Sequence, residues 1–138
     1  MSLMSRAWGR LLAALDRRPA GHRMIVRALP GAIRRRFDPG SADGLEAVLE
    51  LAVRDPHGQS AERFELTIAD AHCSVRPGAP VQPGAQATIA SDDLILLAAG
   101  AASWPELLSS GRFELTGDPF LALRFASLFQ LPVELDPA

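Results

Sequence analysis

Few residues in this sequence could do nucleophilic or acid–base chemistry. The chain has three histidines and one cysteine in 138 residues, and the adjacent His72 and Cys73 could in principle supply a base and a nucleophile. They lie, however, in a segment that predicts a β-strand, where neighbouring side chains point to opposite faces of the sheet. The sequence therefore predicts that Cys73 is a buried core thiol on the same face as Val75.

The other polar candidates have simple structural explanations. His22 lies in a basic segment and His57 in a turn, so both are predicted to face solvent, and the scattered histidines lack the spacing of a zinc site. Asp92 and Asp93 could form an acid–base pair, but they follow Ser91, a predicted helix N-cap, and acidic side chains suit the positive end of a helix. Glycine-rich phosphate loops and the GxSxG motif are absent from the sequence. The sequence predicts no enzymatic activity, no metal site and no cofactor.

An α+β fold is predicted around these residues. Three strands near 49–54, 64–68 and 72–76 show alternating hydrophobicity and are separated by short turns, which indicates an antiparallel arrangement. A fourth strand, two helices, a fifth strand and a final helix follow between residues 85 and 130. Consecutive strands followed by helices predict a sheet with the helices covering one face.

The N-terminal region differs from the rest of the chain in charge. Residues 1–37 contain nine arginines and one acid, whereas the remainder contains five arginines and fifteen acids. A helix is predicted over 5–16, and residues 22–37 are predicted to form two short helical pieces separated at Pro30. We expect this arm either to pack on its own acidic body or to contact an anionic membrane surface. The residues predicted to contact the membrane are Trp8, Arg10, Leu11, Leu12, Leu15, Arg17 and Arg18.

Nucleic acid is not an expected partner. The arm could neutralise phosphates, but its two aromatic residues, Trp8 and Phe37, are too far apart in sequence to form a stacking platform. The acidic body would also oppose docking onto a polyanion. No segment approaches the roughly 20 apolar residues of a spanning helix, and the single cysteine suits a reducing compartment. The expected location is the cytoplasm.

Four segments resemble the sterol carrier protein type-2 family in the same order. They are a strand–turn–strand segment, a strand-into-helix segment, a strand segment Ser-Ser-Gly-Arg-Phe-Glu-Leu-Thr-Gly-Asp and a closing helix, at residues 64–78, 87–94, 109–118 and 121–125. The resemblance covers roughly residues 38–130. It implies a five-stranded, mostly antiparallel sheet with helices over one face and an apolar tunnel between them, where family members bind sterols, acyl chains or other lipids.

The sequence is expected to divide into three parts. Residues 1–3 are expected to be an expression scar, 4–37 a basic helical extension, and 38–138 the lipid-binding domain. The family resemblance implies a carrier role here, because bacterial relatives with such an extension are described as lipid carriers, some of them linked to ubiquinone biosynthesis. The chain is accordingly predicted to be a non-catalytic carrier, or an accessory to lipid or quinone metabolism, that holds an acyl, isoprenoid or sterol-like ligand.

The final helix supports this function on physical grounds. It is apolar nearly all round, with Leu121 and Phe125 on one side and Phe120 and Leu123 on the other, so both sides need cover. A ligand, another helix or a second subunit could provide it, and a dimerisation module is the alternative function. The residues predicted to bind the ligand are Leu94, Leu97, Trp104, Leu107, Leu108, Phe113, Leu115, Phe120, Leu121, Phe125, Leu128 and Phe129.

Overall fold

The computed structural model describes residues 3–16, 18–56, 58 and 60–131. Its first two helices, α1 (Leu3–Asp16) and α2 (Pro19–Arg36), form an N-terminal hairpin. The expected break of α2 at Pro30 is wrong, because the helix continues through it. Proline leaves one carbonyl of the preceding turn without its helical partner. Leu29 and Ile33, on either side of it, pack into the apolar core, and such packing supplies most of the stability of a helix in a protein.

Five strands form one open, mixed sheet. They are β1 (Ala47–Arg54), β2 (Ala61–Ala69), β3 (His72–Pro77), β4 (Ala85–Ala90) and β5 (Phe113–Gly117), in the order β3-β2-β1-β4-β5. β1 runs parallel to β4, and the other neighbouring pairs are antiparallel. The mostly antiparallel five-stranded sheet expected from the sequence is thus confirmed.

The register of the strands separates an apolar face from a polar one. Leu49 on the central strand β1 lies between Leu66 of β2 and Ala85 of β4, and all three are buried. On the other face Glu50 is also buried, because it accepts hydrogen bonds from Arg63 at 2.6 Å and from Gln86. A buried carboxylate is tolerated when charged and polar donors compensate it. The polar face therefore has its own internal network, and the apolar face is left for the helices.

The helices α3 (Ser91–Ala98), α4 (Trp104–Ser109) and α5 (Pro119–Leu128) complete the fold, with a short 3-10 helix at Pro39–Ala42. Buried residues of α3, α4 and α5 join the apolar face of the sheet in a single cluster that also includes Leu29 of α2. This cluster is the core of the protein, and it contains the candidate site.

A buried polar cluster attaches the N-terminal hairpin to α3. The Asp16 carboxylate accepts a 2.5 Å hydrogen bond from the Ser91 hydroxyl, and its other oxygen lies 2.7 Å from His22 Nδ1. The expected solvent exposure of His22 is therefore wrong, since the ring is buried with Asp16. The expected N-cap role of Ser91 is also wrong, because Ala90 occupies that position and the hydroxyl binds Asp16 instead. His57 lies outside the described residues.

Gly9 allows α1 to pack closely on α3. A Cβ atom added at Gly9 would overlap with the Cβ of Ala99, whereas one added at Gly31, in the other helix of the hairpin, would meet only an Arg35 side-chain nitrogen at 3.5 Å. Both glycines lie within helices, so the two sites have the same backbone geometry and differ in the space around them.

We therefore expect Gly9→Ala and Gly31→Ala to change the free energy of unfolding in opposite directions. Gly31→Ala should stabilise the protein by about 0.5–1 kcal/mol through helix propensity. Gly9→Ala should destabilise it by about 1–3 kcal/mol through overpacking. Urea unfolding followed by circular dichroism measures both. An equal gain in stability from the two variants would contradict the packing of α1 on α3.

Candidate functional site

An inner cavity of about 70 Å³ lies between the helices and the apolar face of the sheet. The sheet contributes one residue from each of four strands: Leu51, Leu66, Ile89 and Phe113. Three helices and the segment after α5 supply the rest of the wall, which consists of Leu29, Ala32, Ile33, Arg36, Leu94, Leu97, Ala98, Phe125, Phe129 and Leu131. All but Arg36 are apolar, so the inner cavity suits a hydrocarbon group.

Arg36 lies beside the inner cavity but uses its guanidinium group on the protein itself. It donates to the carbonyls of Phe129 at 3.1 Å, Ala98 at 3.2 Å and Gln130 at 2.6 Å. In return, the Gln130 side chain donates to the Arg36 carbonyl at 3.0 Å. These bonds join the C-terminal end of α2 to the ends of α3 and α5.

Aromatic rings strengthen the same end of the site. The ring of Phe129 lies 5.9 Å from Phe37 and 5.1 Å from Phe125 between centroids, both in tilted arrangements. Such pairs are worth roughly 0.5–1.5 kcal/mol beyond the area they bury. Phe125 and Phe129 also line the inner cavity, so the aromatic contacts fix part of its wall.

A second opening, the outer groove, lies among α1, α2 and α3 and has a volume of about 360 Å³. It is lined by apolar residues and one glycine: Trp8, Gly9, Leu12, Ile25, Ala28, Leu29, Ala32, Leu94, Ile95, Ala98 and Ala99. Four of them, Leu29, Ala32, Leu94 and Ala98, also line the inner cavity. These four side chains form a partition between the two spaces.

The hairpin presents a basic and apolar surface next to the outer groove. Trp8 is 59% exposed and Leu11 63% exposed, with Leu12 and Met24 also accessible. Every exposed charged side chain described on the hairpin is an arginine: Arg10, Arg18, Arg23, Arg27, Arg34 and Arg35. Of the predicted membrane-contact residues, Trp8, Arg10, Leu11, Leu12 and Arg18 are exposed, and the side chains of Leu15 and Arg17 lie outside the described part.

Comparison with known sequences identifies the family. The sequence profile of the SCP-2 sterol transfer family matches residues 32–130, which is well over half of the chain. The chain belongs to the SCP-2 sterol transfer family. The resemblance seen in the sequence is thereby confirmed. A search of curated proteins found no match.

Solved structures share the fold of this SCP-2 family member. Sterol Carrier Protein 2 Like 2 from Aedes aegypti is 23% identical with a TM-score of 0.65, over 77% of this chain and 97% of that one. The palmitated SCP2L2 from Aedes aegypti is 19% identical with a TM-score of 0.60, over 80% of this chain and 95% of that one.

An enzyme contains the same fold as one part of a larger chain. The sec-alkylsulfatase Pisa1 from Pseudomonas sp. is 20% identical with a TM-score of 0.58, over 77% of this chain. This chain spans only 16% of the length of the sulfatase. The likeness therefore concerns the SCP2-like part of that enzyme.

The structure brings five of the twelve predicted ligand-binding residues together around the inner cavity: Leu94, Leu97, Phe113, Phe125 and Phe129. Leu107 and Leu128 are buried elsewhere in the core, and Trp104, Leu115 and Leu121 are partly buried against it. Phe120 is 82% exposed, and Leu108 is also accessible. Contact of any of the twelve with a ligand stays a prediction.

Sequence reasoning missed the wall supplied by α2. Leu29, Ala32, Ile33 and Arg36 recur at intervals of three and four residues, which is the spacing of one helical face. The signal was present, but dividing the helix at Pro30 hid it. Leu51 and Leu66 lie in strands whose alternating hydrophobicity predicts one buried face, but their position beneath α2 depends on tertiary packing.

The groups able to do chemistry are not gathered at the inner cavity. Cys73 pairs with Ile68 of β2 and is partly buried, whereas His72 is exposed and pairs with Ala69. Asp93, expected at the positive end of a helix, lies in the first turn of α3 and forms an ion pair with Arg112. Among the described residues there is no group of three or more side chains that could hold a metal ion. Within that same part of the chain, no helix has the length and hydrophobicity needed to cross a membrane.

Burial raises the pKa of the Cys73 thiol to about 11, although nearby Arg34 partly opposes the shift. The thiol is therefore neutral at pH 8, and only the thiolate reacts with alkylating reagents. We expect iodoacetamide to modify the folded protein at least about tenfold more slowly than the urea-unfolded chain at pH 8. The rate for the folded protein should keep rising beyond pH 10. Mass spectrometry measures both rates, and equal rates at pH 8 would contradict the shielding.

Proposed function

We propose that this chain is a non-catalytic lipid carrier that holds a hydrocarbon group in the inner cavity. The observation that carries the proposal is the cavity itself, whose wall is apolar apart from Arg36. Membership of the SCP-2 sterol transfer family supports it. The ligand class is an acyl, isoprenoid or sterol-like lipid, and the palmitated relative favours an acyl chain.

Hydrophobic burial alone can supply the affinity. Each methylene removed from water contributes roughly 0.8 kcal/mol of binding free energy, so a lipid tail needs no polar contact to bind. The inner cavity of about 70 Å³ is smaller than the roughly 150 Å³ cavity that admits benzene in another protein. Binding therefore requires the wall to move, and the leucine, isoleucine and phenylalanine side chains around it can change rotamer.

A carrier has to meet membranes to load and unload. The hairpin has an apolar surface formed by the exposed side chains of Trp8, Leu11 and Leu12. The exposed charged side chains described on the same hairpin are arginines. This combination is typical of helices that lie in a membrane interface, where each arginine near an anionic surface adds about 1 kcal/mol. We propose that the hairpin makes this contact transiently while it stays packed on α3.

The protein would then act as an accessory that presents its ligand to an enzyme of lipid or quinone metabolism. The SCP2-like part of the alkylsulfatase is consistent with such an association between this fold and an enzyme. A subunit contact through α5 is a lesser alternative. Its only direct support among the described residues is the exposure of Phe120 and Leu123, and sedimentation at low concentration would detect it as a dimer.

The ligand site can be tested by filling the inner cavity. Ile33→Trp places a larger side chain in the wall, and we expect at least about tenfold weaker binding of a fluorescent acyl probe, because the lost space would have buried several methylenes. Val81→Trp is the control, since Val81 is 97% exposed and lines neither space. If the wild type takes up no acyl probe and carries no lipid in native mass spectrometry, the carrier function is refuted.

Membrane contact can be tested with two leucines of matched exposure. Leu11 lies on the hairpin and is 63% exposed, and Leu123 lies on α5 and is 60% exposed. We expect Leu11→Ser to weaken co-sedimentation with anionic vesicles by about tenfold, and Leu123→Ser to leave it unchanged. Neutral vesicles should bind the wild type more weakly, because the arginines then have no partner charge. Equal effects of the two substitutions would argue against contact through the hairpin.

A further inference from the structure

The outer groove is built largely from residues that precede the region shared with the family. The family match begins at residue 32, whereas Trp8, Gly9, Leu12, Ile25 and Ala28 all line the groove. The groove therefore exists because this particular chain carries the N-terminal hairpin. Its volume of about 360 Å³ is several times that of the inner cavity.

The two spaces meet at the partition. Leu29 and Ala32 approach from α2, and Leu94 and Ala98 approach from α3. Two of the four side chains are single methyl groups, so only the two leucines have side chains long enough to block the passage. A change of rotamer at these two leucines is the smallest movement that a route between the spaces requires.

We propose that the outer groove is the entrance and the outer compartment of the lipid site. A hydrocarbon chain would lie across the partition, with one part in the inner cavity and the remainder among α1, α2 and α3. This inference rests on the proposed carrier function and adds to it the place where the ligand enters.

A lipid chain fits the groove better than a protein partner does. Apart from Gly9 the lining residues have apolar side chains, and four of them also line the inner cavity. At the rim, Trp8 is 59% exposed and Leu12 is also accessible, so the groove opens on the surface proposed to meet the membrane. Contact between the hairpins of two copies is disfavoured there, because the exposed charges described on the hairpin are all arginines and would repel one another.

The attachments of α2 are compatible with this route. Arg36 fixes the C-terminal end of α2 through three carbonyl groups, and His22 near its N-terminal end lies in the buried cluster with Asp16. Between these points, the residues of α2 that face the groove and the inner cavity are apolar. Entry through the partition would thus leave both polar attachments intact.

Two isoleucines of α2 make a matched test. Ile25 lines only the outer groove and Ile33 only the inner cavity, and both are partly buried. Displacement of a fluorescent acyl probe would give the affinities of octanoate and palmitate for the wild type, Ile25→Trp and Ile33→Trp. We expect Ile25→Trp to weaken palmitate binding by at least about tenfold while octanoate stays within about twofold. Ile33→Trp should weaken both.

A second groove substitution keeps the test valid if Ile25→Trp does not fold. Ala28 lines only the outer groove and is exposed, so Ala28→Phe fills the groove without disturbing the core, and it should show the same selective loss of palmitate. Unchanged palmitate binding in a folded groove variant would overturn the proposal while leaving the carrier function standing. A wild type that binds neither fatty acid would instead refute the carrier function itself.

Photo-crosslinking would locate the bound acyl chain in the wild-type protein. Palmitate analogues with a diazirine at the chain end or near the carboxylate would be mapped by peptide mass spectrometry. We expect one analogue to label peptides containing Leu51 or Leu66 and the other to label peptides containing Trp8 or Ile25. Labelling confined to peptides of the inner cavity, whichever analogue is used, would overturn the proposal.

Discussion

The C-terminal ends of α3 and α5 converge on the guanidinium group of Arg36, which lies at the C-terminal end of α2. The carbonyls of Ala98, Phe129 and Gln130 lie at or just beyond the C-terminal ends of α3 and α5, and Arg36 itself lies in the last turn of α2. Such carbonyls have no partner within their own helices, and each helix end carries a partial negative charge. One cation satisfies them together, so helices whose ends would otherwise repel one another can stand side by side over the sheet. The junction joins the three helices that line the inner cavity.

Polar contacts join the secondary-structure elements at their ends and on the outer face of the sheet, and apolar side chains pack between them. Asp16, His22 and Ser91 join the hairpin to α3 away from the cavity, while Glu50 and its partners stabilise the opposite face of the sheet. Buried polar groups need particular partners in a particular geometry, whereas aliphatic side chains can exchange one packing for another at small cost. The buried hydrogen bonds thus lie where the helices and the sheet are joined. The aliphatic contacts, which can repack, lie around the inner cavity where a ligand would bind.

Much of this fold could be predicted from local patterns. Alternating hydrophobicity predicts the strands around Phe64 and Val75, and Asp118 followed by Pro119 is a typical helix start, which α5 follows. The errors concern contacts between residues distant in sequence. Ser91 is a reasonable N-cap by local rules, and only the position of Asp16 on another helix shows why its hydroxyl is used elsewhere. For the candidate site, the walls supplied by α3, β5 and α5 were partly foreseen, but the wall from α2 was not, because Pro30 is a helix breaker by propensity and tertiary packing overrides it.

The packing of the hairpin against α3 also determines how the protein can be truncated. A fragment cut to the family limits would begin inside α2 and would lack Gly9, Asp16 and His22. It would leave the Ser91 hydroxyl and the apolar side of α3 open to water. A fragment limited to the part shared with the relatives would therefore expose apolar surface and tend to aggregate, and it would not be a minimal functional domain.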